Sequence, residues 1–467
     1  MKKLLSLAAL LCAASANADW FEDLKNNGSD ADLYRVLHHM PKGGDLHHHL
    51  SGSNFSEWMY DLALQQRERG YHYYTKVRIE NCVDYGGDAY GRSPYYLMFR
   101  NIMAIDFEQL SDCEKGEYKL LEELSAEEKT AWLDSIRLDK PYEGRDEFFG
   151  THWPRMNALG WNPWFQAETL FLNMQAFGDE GLSYLETQVS VRGMVRPDGT
   201  TIPTEEVVTI LRDRMNAADA RATGVTARFQ ISVLRFLPNA EEVLRSVYKF
   251  VNDHNDLFVA VNMVGREDND KGHPLRFLDT MRDLRRQYSG VKLSIHAGEV
   301  DEPNYHVRDT LLLGADRIGH GNNLITDDDT MRLMRHGPYL VEINLISNLL
   351  LNYVSDYAEH PFPEYLRTGI PVALSTDDRG MWDSTMTDEF FVAVKEFNLS
   401  WDEIKTMSSN SLQYSFVQSE EKARLLREFH DRMTKFEASM QKYGLDRVGE
   451  MPATRQFICN YYDICAQ

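Results

Sequence analysis

The chain has 467 residues, 26% of them charged and 43% hydrophobic, with a formal net charge of −22. This globular composition excludes a disordered, collagenous or small disulfide-stapled protein. The acidic balance disfavours nucleic-acid backbones and anionic membranes as partners, and leaves a neutral small substrate open.

Residues 1–18 carry Lys2 and Lys3, an apolar run over 4–14, and Ala16-Asn17-Ala18 ahead of Asp19. These are the three parts of a secretory signal. The competing readings are a buried N-terminal helix and a lipoprotein anchor at Cys12, the latter disfavoured by Leu11 where a small residue is wanted. No later apolar run of about 18 residues follows, so no other segment is expected to span a membrane. The protein is expected to be exported, to a periplasm or the exterior, with 19–467 as one domain. Cys12 leaves with the signal; Cys82, Cys113, Cys459 and Cys465 remain. An oxidising compartment and an even count predict disulfides. Of the three pairings, Cys82–Cys113 and Cys459–Cys465 are favoured, being local and in polar stretches.

Residues 19–40 read as helix through the spacing of Leu24, Leu33, Val36 and Leu37. A first strand is expected over 44–50. The aromatic-rich segment after it, about 51–180, reads as a mostly helical insertion, with helices at 57–69, 93–107 and 120–135. Beyond it, strands are expected at 182–191, 227–234, 257–264, 291–296, 317–320, 339–345 and 372–375. Amphipathic helices such as 204–217, 240–253 and 274–288 separate them. Alternation of this kind predicts βα units and a parallel sheet, and eight strands close a (β/α)8 TIM barrel. A helical tail is expected over about 400–467.

The strand ends carry the chemistry. Strand one ends in Asp45-Leu46-His47-His48-His49, and strand five in His296-Ala297-Gly298-Glu299. Strand six ends in Gly319-His320-Gly321, and strand eight in Ser375-Thr376-Asp377-Asp378. Strand side chains alternate, so His47 and His49 face the barrel axis together while His48 points away. Alone, each piece has a bland explanation: a surface histidine pair, a core histidine, a turn. Together at the face where barrel catalysis occurs, His47, His49, His296 and Asp377 form a mononuclear metal set, and imidazoles suit zinc. A metal lowers the pKa of water towards ~7. Such a nucleophile needs an orienting base and the attacked group needs a proton. His320 and Glu299 are the candidates, and Asp378 neighbours the site.

These motifs, with Pro41-Lys42-Gly43-Gly44 ahead of the first, resemble those of adenosine deaminases, within the amidohydrolase superfamily. They run in family order from Pro41 to Asp378. The signal and the long insertion resemble the secreted, growth-factor-related branch. The resemblance implies one zinc per chain on His47, His49, His296 and Asp377, with an activated water as nucleophile. It implies Glu299 as proton shuttle to the purine N1 and His320 as the group that orients and deprotonates the water. It implies Asp378 as a partner of purine and water, and Gly265, at the end of strand four, as a backbone donor to the purine. The implied substrate is adenosine, and 2′-deoxyadenosine with it, giving inosine and ammonia. Two positions depart from the family pattern: Ser51 stands where an acidic residue faces the sugar, and Arg379 where a proline follows the paired aspartates. The aromatic stretch from His152 to Trp164 is read as core packing or as a lid over a nucleobase. The alternatives are an amidohydrolase acting on another aminopurine or an amide, and a non-enzymatic extracellular binder. The oligomeric state, a homodimer included, stays open.

Overall fold

A computed structural model describes residues 19–82, 97–269 and 271–465. The candidate signal at 1–18 lies outside the described residues. The helix expected over 19–40 is two helices, Asp19–Asn27 and Asp30–His39. Ser29 separates them, its side chain capping the second by accepting the Asp32 N–H.

The chain then enters β1 (Gly43–Asp45) and leaves for the insertion, which is less helical than expected. Three short strands, β2 (Tyr73–Lys76), β3 (Asn101–Met103) and β4 (Tyr118–Leu120), form an antiparallel sheet in the order β3-β2-β4. The helix expected over 93–107 begins outside the described residues; within them that stretch holds β3 and a short helix, Ala104–Glu108. Strands of three or four residues are too short to show a readable period, and pairing across the insertion decides them. The other two expected helices form as Ser56–Gln65 and Ala126–Ile136. The second starts later than expected because Ser125 and Glu128 make a capping box. Cys82–Cys113 links the segments beside β2 and β4, and Cys459–Cys465 closes the C-terminal turn. Both local pairings are therefore present.

Helix α1 (Pro163–Asp179) leads back to the barrel. Its strands are β5 (Leu182–Val189), β6 (Thr226–Leu234), β7 (Phe258–Val264), β8 (Lys292–Ala297), β9 (Arg317–His320), β10 (Leu340–Ile343) and β11 (Val372–Leu374). All pair in parallel in the order β1-β5-β6-β7-β8-β9-β10-β11. Every residue of β5 and of β7 is buried, as expected of parallel strands covered on both faces. Helix Ala240–Asp253, for example, lays Leu244, Val247, Tyr248 and Val251 against the sheet. The tail supplies Trp401–Gln413, Ser419–Tyr443 and Gln456–Tyr462. No helix among the described residues is long and apolar enough to cross a membrane.

Two features of the barrel place the chemistry. First, β1 stops at Asp45 instead of running to residue 50. The Asp45 carboxylate explains the early exit: Oδ1 accepts the His47 N–H at 3.1 Å and Oδ2 accepts the Thr376 N–H at 3.2 Å. The chain then stitches onto the end of β11 through Asp377 N–H to His47 C=O (2.9 Å) and His49 N–H to Asp377 C=O (3.2 Å). Barrel closure therefore sets His47, His49 and Asp377 side by side. Second, the barrel interior holds a polar belt where apolar layers are usual. Arg317 donates to Glu186 Oε2 and Glu342 Oε1, Gln230 to Glu186, Asn262 to Gln230, and Ser294 to Glu342. The Arg317 charge is matched by two carboxylates and the amides and hydroxyl bridge between them, which makes such a core tolerable.

Candidate active site

The structure brings the four predicted metal-ligating residues together. One ligand atom from each of His47, His49, His296 and Asp377 lies within 4.8 Å of all the others. His49 Nε2 is 3.2 Å from Asp377 Oδ1 and 3.3 Å from His296 Nε2; His47 Nε2 is 3.6 Å from Asp377 Oδ1.

The hydrogen bonds on the far side of the rings decide whether a cation fits. His47 Nδ1–H donates to Glu342 Oε2 at 2.7 Å, and His296 Nδ1–H to Asn262 Oδ1 at 2.9 Å. Those acceptors leave the Nε2 atoms with lone pairs. The Gln188 amide lies 3.2 Å from His49 Nε2, where it can only donate. The His47 and His296 lone pairs and the Asp377 carboxylate therefore converge beside His49 Nε2, whose lone pair accepts from Gln188, and the buried His47 Nε2 has no hydrogen-bond partner among the described residues. Lone pairs so arranged repel unless a cation sits between them, so the residues fit a metal.

Electrostatics agree. Burial pushes His296 well below the usual imidazole range, assisted by its three imidazole neighbours, and also lowers His49. Burial favours the neutral form of His47 too, but Asp377 and Glu342 outweigh it and push His47 up to about 10. Positive charge is thus demanded where the ligand atoms meet. Burial opposes ionisation of Asp377, yet His47 and His49 hold its carboxyl well below the usual range.

The remaining predicted residues ring this point. Burial, then the Asp377 and Glu267 charges, pushes the Glu299 carboxyl well above the usual range, which favours its protonated form. Its Oε1 accepts the Tyr353 hydroxyl at 3.3 Å and lies 3.9 Å from His320 Nε2. His320, lowered by burial to about 4, is neutral. Its Nδ1 meets Asn348 Oδ1 at 2.9 Å, and its Nε2 is 4.0 Å from Asp377 Oδ2. Burial and the Asp377 charge push Asp378 well above the usual range. Its buried Oδ1 has no hydrogen-bond partner among the described residues, which leaves it free to meet a ligand. Gly265 comes directly after β7 at φ +104, and His320 and Asp377 also sit at positive φ, 64° and 54°. Left-handed backbone at non-glycine strand ends is strain of the kind active sites hold.

Several site residues were not foreseen. Glu342 and Asn262 fix the rings of His47 and His296, and Ser347 donates to Asp377 Oδ2 at 2.6 Å. Glu267 accepts the Gly298 and Glu299 N–H groups and so fixes the loop that carries Glu299. Two glycines make room. A Cβ at Gly319 would lie 2.6 Å from His47 Cε1, and one at Gly52 would lie 1.7 Å from Asp378 Oδ1. A usable signal existed for Glu342 and Asn262, each the lone polar residue in a strand otherwise apolar. The aromatic stretch divides: Trp153 approaches the His49 ring, centroids 6.4 Å apart, whereas His152 is buried against the Ile136 carbonyl and Trp161 is exposed. Ser51 is half-buried. Arg379 is wholly buried, donating to Glu180 Oε1 at 2.9 Å and stacked on Phe177 at 4.0 Å.

The family model for adenosine deaminase matches residues 168–432. The N6-methyl-AMP deaminase-L of Xenopus laevis is 28% identical over 256 residues, 54% of this chain and 71% of that protein. An adenosine deaminase of Plasmodium gallinaceum is 34% identical over 189 residues, 40% of this chain and 51% of its own. Among solved structures, the adenine deaminase of Arthrobacter aurescens aligns with a TM-score of 0.61 at 19% identity, over 84% of this chain and 99% of that one. An amidohydrolase from Burkholderia ambifaria with bound zinc aligns at 0.60 and 18%, over 87% and 95%. The structural likenesses speak for the barrel; the family match, which spans more than half of the sequence, speaks for kinship, and the chain belongs to the adenosine deaminase family of the amidohydrolase superfamily.

Proposed function

We propose that the protein is a zinc-dependent hydrolase that converts adenosine, and 2′-deoxyadenosine, to the corresponding inosine and ammonia. The observation that carries this reading is the buried Glu299 carboxyl, pushed above the usual range, and an Asp378 oxygen without a partner among the described residues, both beside one cation site. Hydrolytic deamination of a purine needs an acid for the ring nitrogen and an acceptor for the incoming water. Zinc on His47, His49, His296 and Asp377 supplies Lewis acidity that makes a water nucleophilic near neutral pH. Glu299 gives its proton to N1 while water adds at C6, and the Tyr353 hydroxyl steadies the carboxylate this leaves. His320 Nε2 takes the water's proton, its ring held by Asn348. Asp378 Oδ1 orients the water and the purine edge, and the Gly265 N–H faces the purine. The proton taken by His320 passes to the amino group, which leaves as ammonia, while the Glu299 carboxylate takes back the proton of the C6 hydroxyl, so the oxygen remains as the product carbonyl and both groups regain their starting states.

The relatives named N6-methyl-AMP deaminases raise a second reading, a 5′-phosphorylated substrate. The charges around the site favour the nucleoside. Arg145, whose guanidinium lies 5.4 Å over Tyr353, is paired in two contacts with Asp301. Arg266, next to Gly265, is paired with Asp146 and Asp268. A phosphate would have to displace these carboxylates.

We further propose that residues 1–18 direct export; two disulfides suit an oxidising compartment. Adenosine, 2′-deoxyadenosine, AMP, N6-methyl-AMP and adenine should be compared by ammonia release. The expected order places the two nucleosides at least about tenfold above the nucleotides in kcat/KM, a difference of ~1.4 kcal/mol. A preference for either nucleotide would replace this reading with the second.

A further inference from the structure

We propose that Glu389, outside the metal ligands and the groups assigned to catalysis, is a positioning residue that locks Asp377 and His320 through one short helix. The proposal rests on the reading of Asp377 as a zinc ligand. Two elements are involved: α2 (Leu345–Leu350), which follows β10, and α3 (Met386–Phe397), which follows the paired aspartates.

Helix α2 is six residues long and carries two partners of the site. Ser347 Oγ donates to Asp377 Oδ2 at 2.6 Å, and Asn348 Oδ1 meets His320 Nδ1 at 2.9 Å. One rigid turn thus sets both the free oxygen of a metal ligand and the ring of the proposed base. A helix this short is marginal by itself and depends on what satisfies its ends. Its own N-cap, Asn344, makes no side-chain capping bond. The Asn344 amide nitrogen instead lies 3.4 Å from His320 Nδ1. Glu389 performs the capping from α3. Its Oε2 accepts the Leu345 N–H at 3.0 Å and its Oε1 accepts the Ile346 N–H at 3.2 Å. The side chain is fully buried. A buried carboxyl group is costly to keep, and in a packed helix face an apolar residue would be the cheaper choice. What the carboxyl group adds is direction: both oxygens grip the N-terminal turn of α2 and fix its rotation, and with it the aim of Ser347 and Asn348.

A residue that only stabilised the fold would lower stability without touching the zinc. Thr385 provides that comparison. It caps the same helix α3 through Asp388. The test measures zinc affinity by chelator competition, alongside kcat and KM, for wild type, Glu389→Ala, Glu389→Gln, Ser347→Ala, Thr385→Ala and the Glu389→Ala/Ser347→Ala pair. Outlying partners of a metal ligand typically govern 10–100-fold in affinity. Glu389→Ala should weaken zinc binding about tenfold and lower kcat with little change in KM. Glu389→Gln keeps one acceptor oxygen and should recover part of both. In the Ser347→Ala background the Glu389→Ala effect on zinc should shrink to within about twofold, because the route through Ser347 is already gone. Should Glu389→Ala not fold, Glu389→Gln and its cycle with Ser347→Ala carry the same test. Zinc affinities of the Glu389 variants equal to those of wild type and Thr385→Ala would overturn the proposal. So would full additivity in the cycle. A wild type that binds no zinc would overturn the underlying reading as well, which separates the two failures.

Discussion

Glu299→Gln should leave a folded, metal-loaded protein whose kcat on adenosine falls by ~10²–10⁴, the usual contribution of a positioned general acid. The substitution keeps shape and volume and removes only the titratable proton. Glu299 is buried at 5% exposure, with Tyr353 and His320 as its polar neighbours, so an amide finds the same space. KM should change little, because the ground-state purine needs no full proton at N1. The loss belongs to the addition step, where negative charge would otherwise build on the ring. Metal analysis and kcat on one preparation check this; a kcat within a few-fold of wild type would remove Glu299 from the mechanism.

His296→Ala should abolish activity by a different route, through the metal. Of the four convergent groups, His296 is the best prepared as a neutral ligand. Burial and three imidazole neighbours hold it well below the usual range, and Asn262 fixes its tautomer. Its removal should lower zinc affinity by more than the ~10–100-fold expected for Asn262→Ala, which disturbs only the support behind the ring. Elemental analysis after dialysis against a weak chelator should therefore rank wild type above Asn262→Ala, and Asn262→Ala above His296→Ala. Equal metal in all three would place the cation elsewhere.

Much of this architecture is legible in the sequence. The seven barrel strands after the first announce themselves because parallel strands are largely apolar runs separated by amphipathic helices, and β5 through β11 fall within a few residues of expectation. The candidate ligands and catalytic groups are legible because each sits at or just past the carboxyl end of a strand, where barrel sites form. Less could be read where structure depends on partners distant in sequence. The early end of β1 is set by Asp45 meeting Thr376, 331 residues away. The partnership of His47 with Glu342 spans 295 residues, and that of His48 with Thr187 spans 139. The sheet β3-β2-β4 escapes a sequence reading because its strands owe their form to one another, and local propensity is a weak guide at that length. Ser347, Asn348 and Glu389 are invisible for the same reason: their roles arise only when β10 and β11 are neighbours.

Deamination at this site means that water adds to C6 of adenosine and the amino group is expelled. Turnover of adenosine in H₂¹⁸O by zinc-loaded protein, with mass analysis of the product and assay of ammonia, tests this most directly. The expected products are inosine carrying a single ¹⁸O at C6 and ammonia in equal amount, both lowered by about a hundredfold or more in the Glu299→Gln reaction over the same time. Zinc-loaded, folded protein that leaves adenosine unchanged, or a product without the label, would contradict the proposed chemistry.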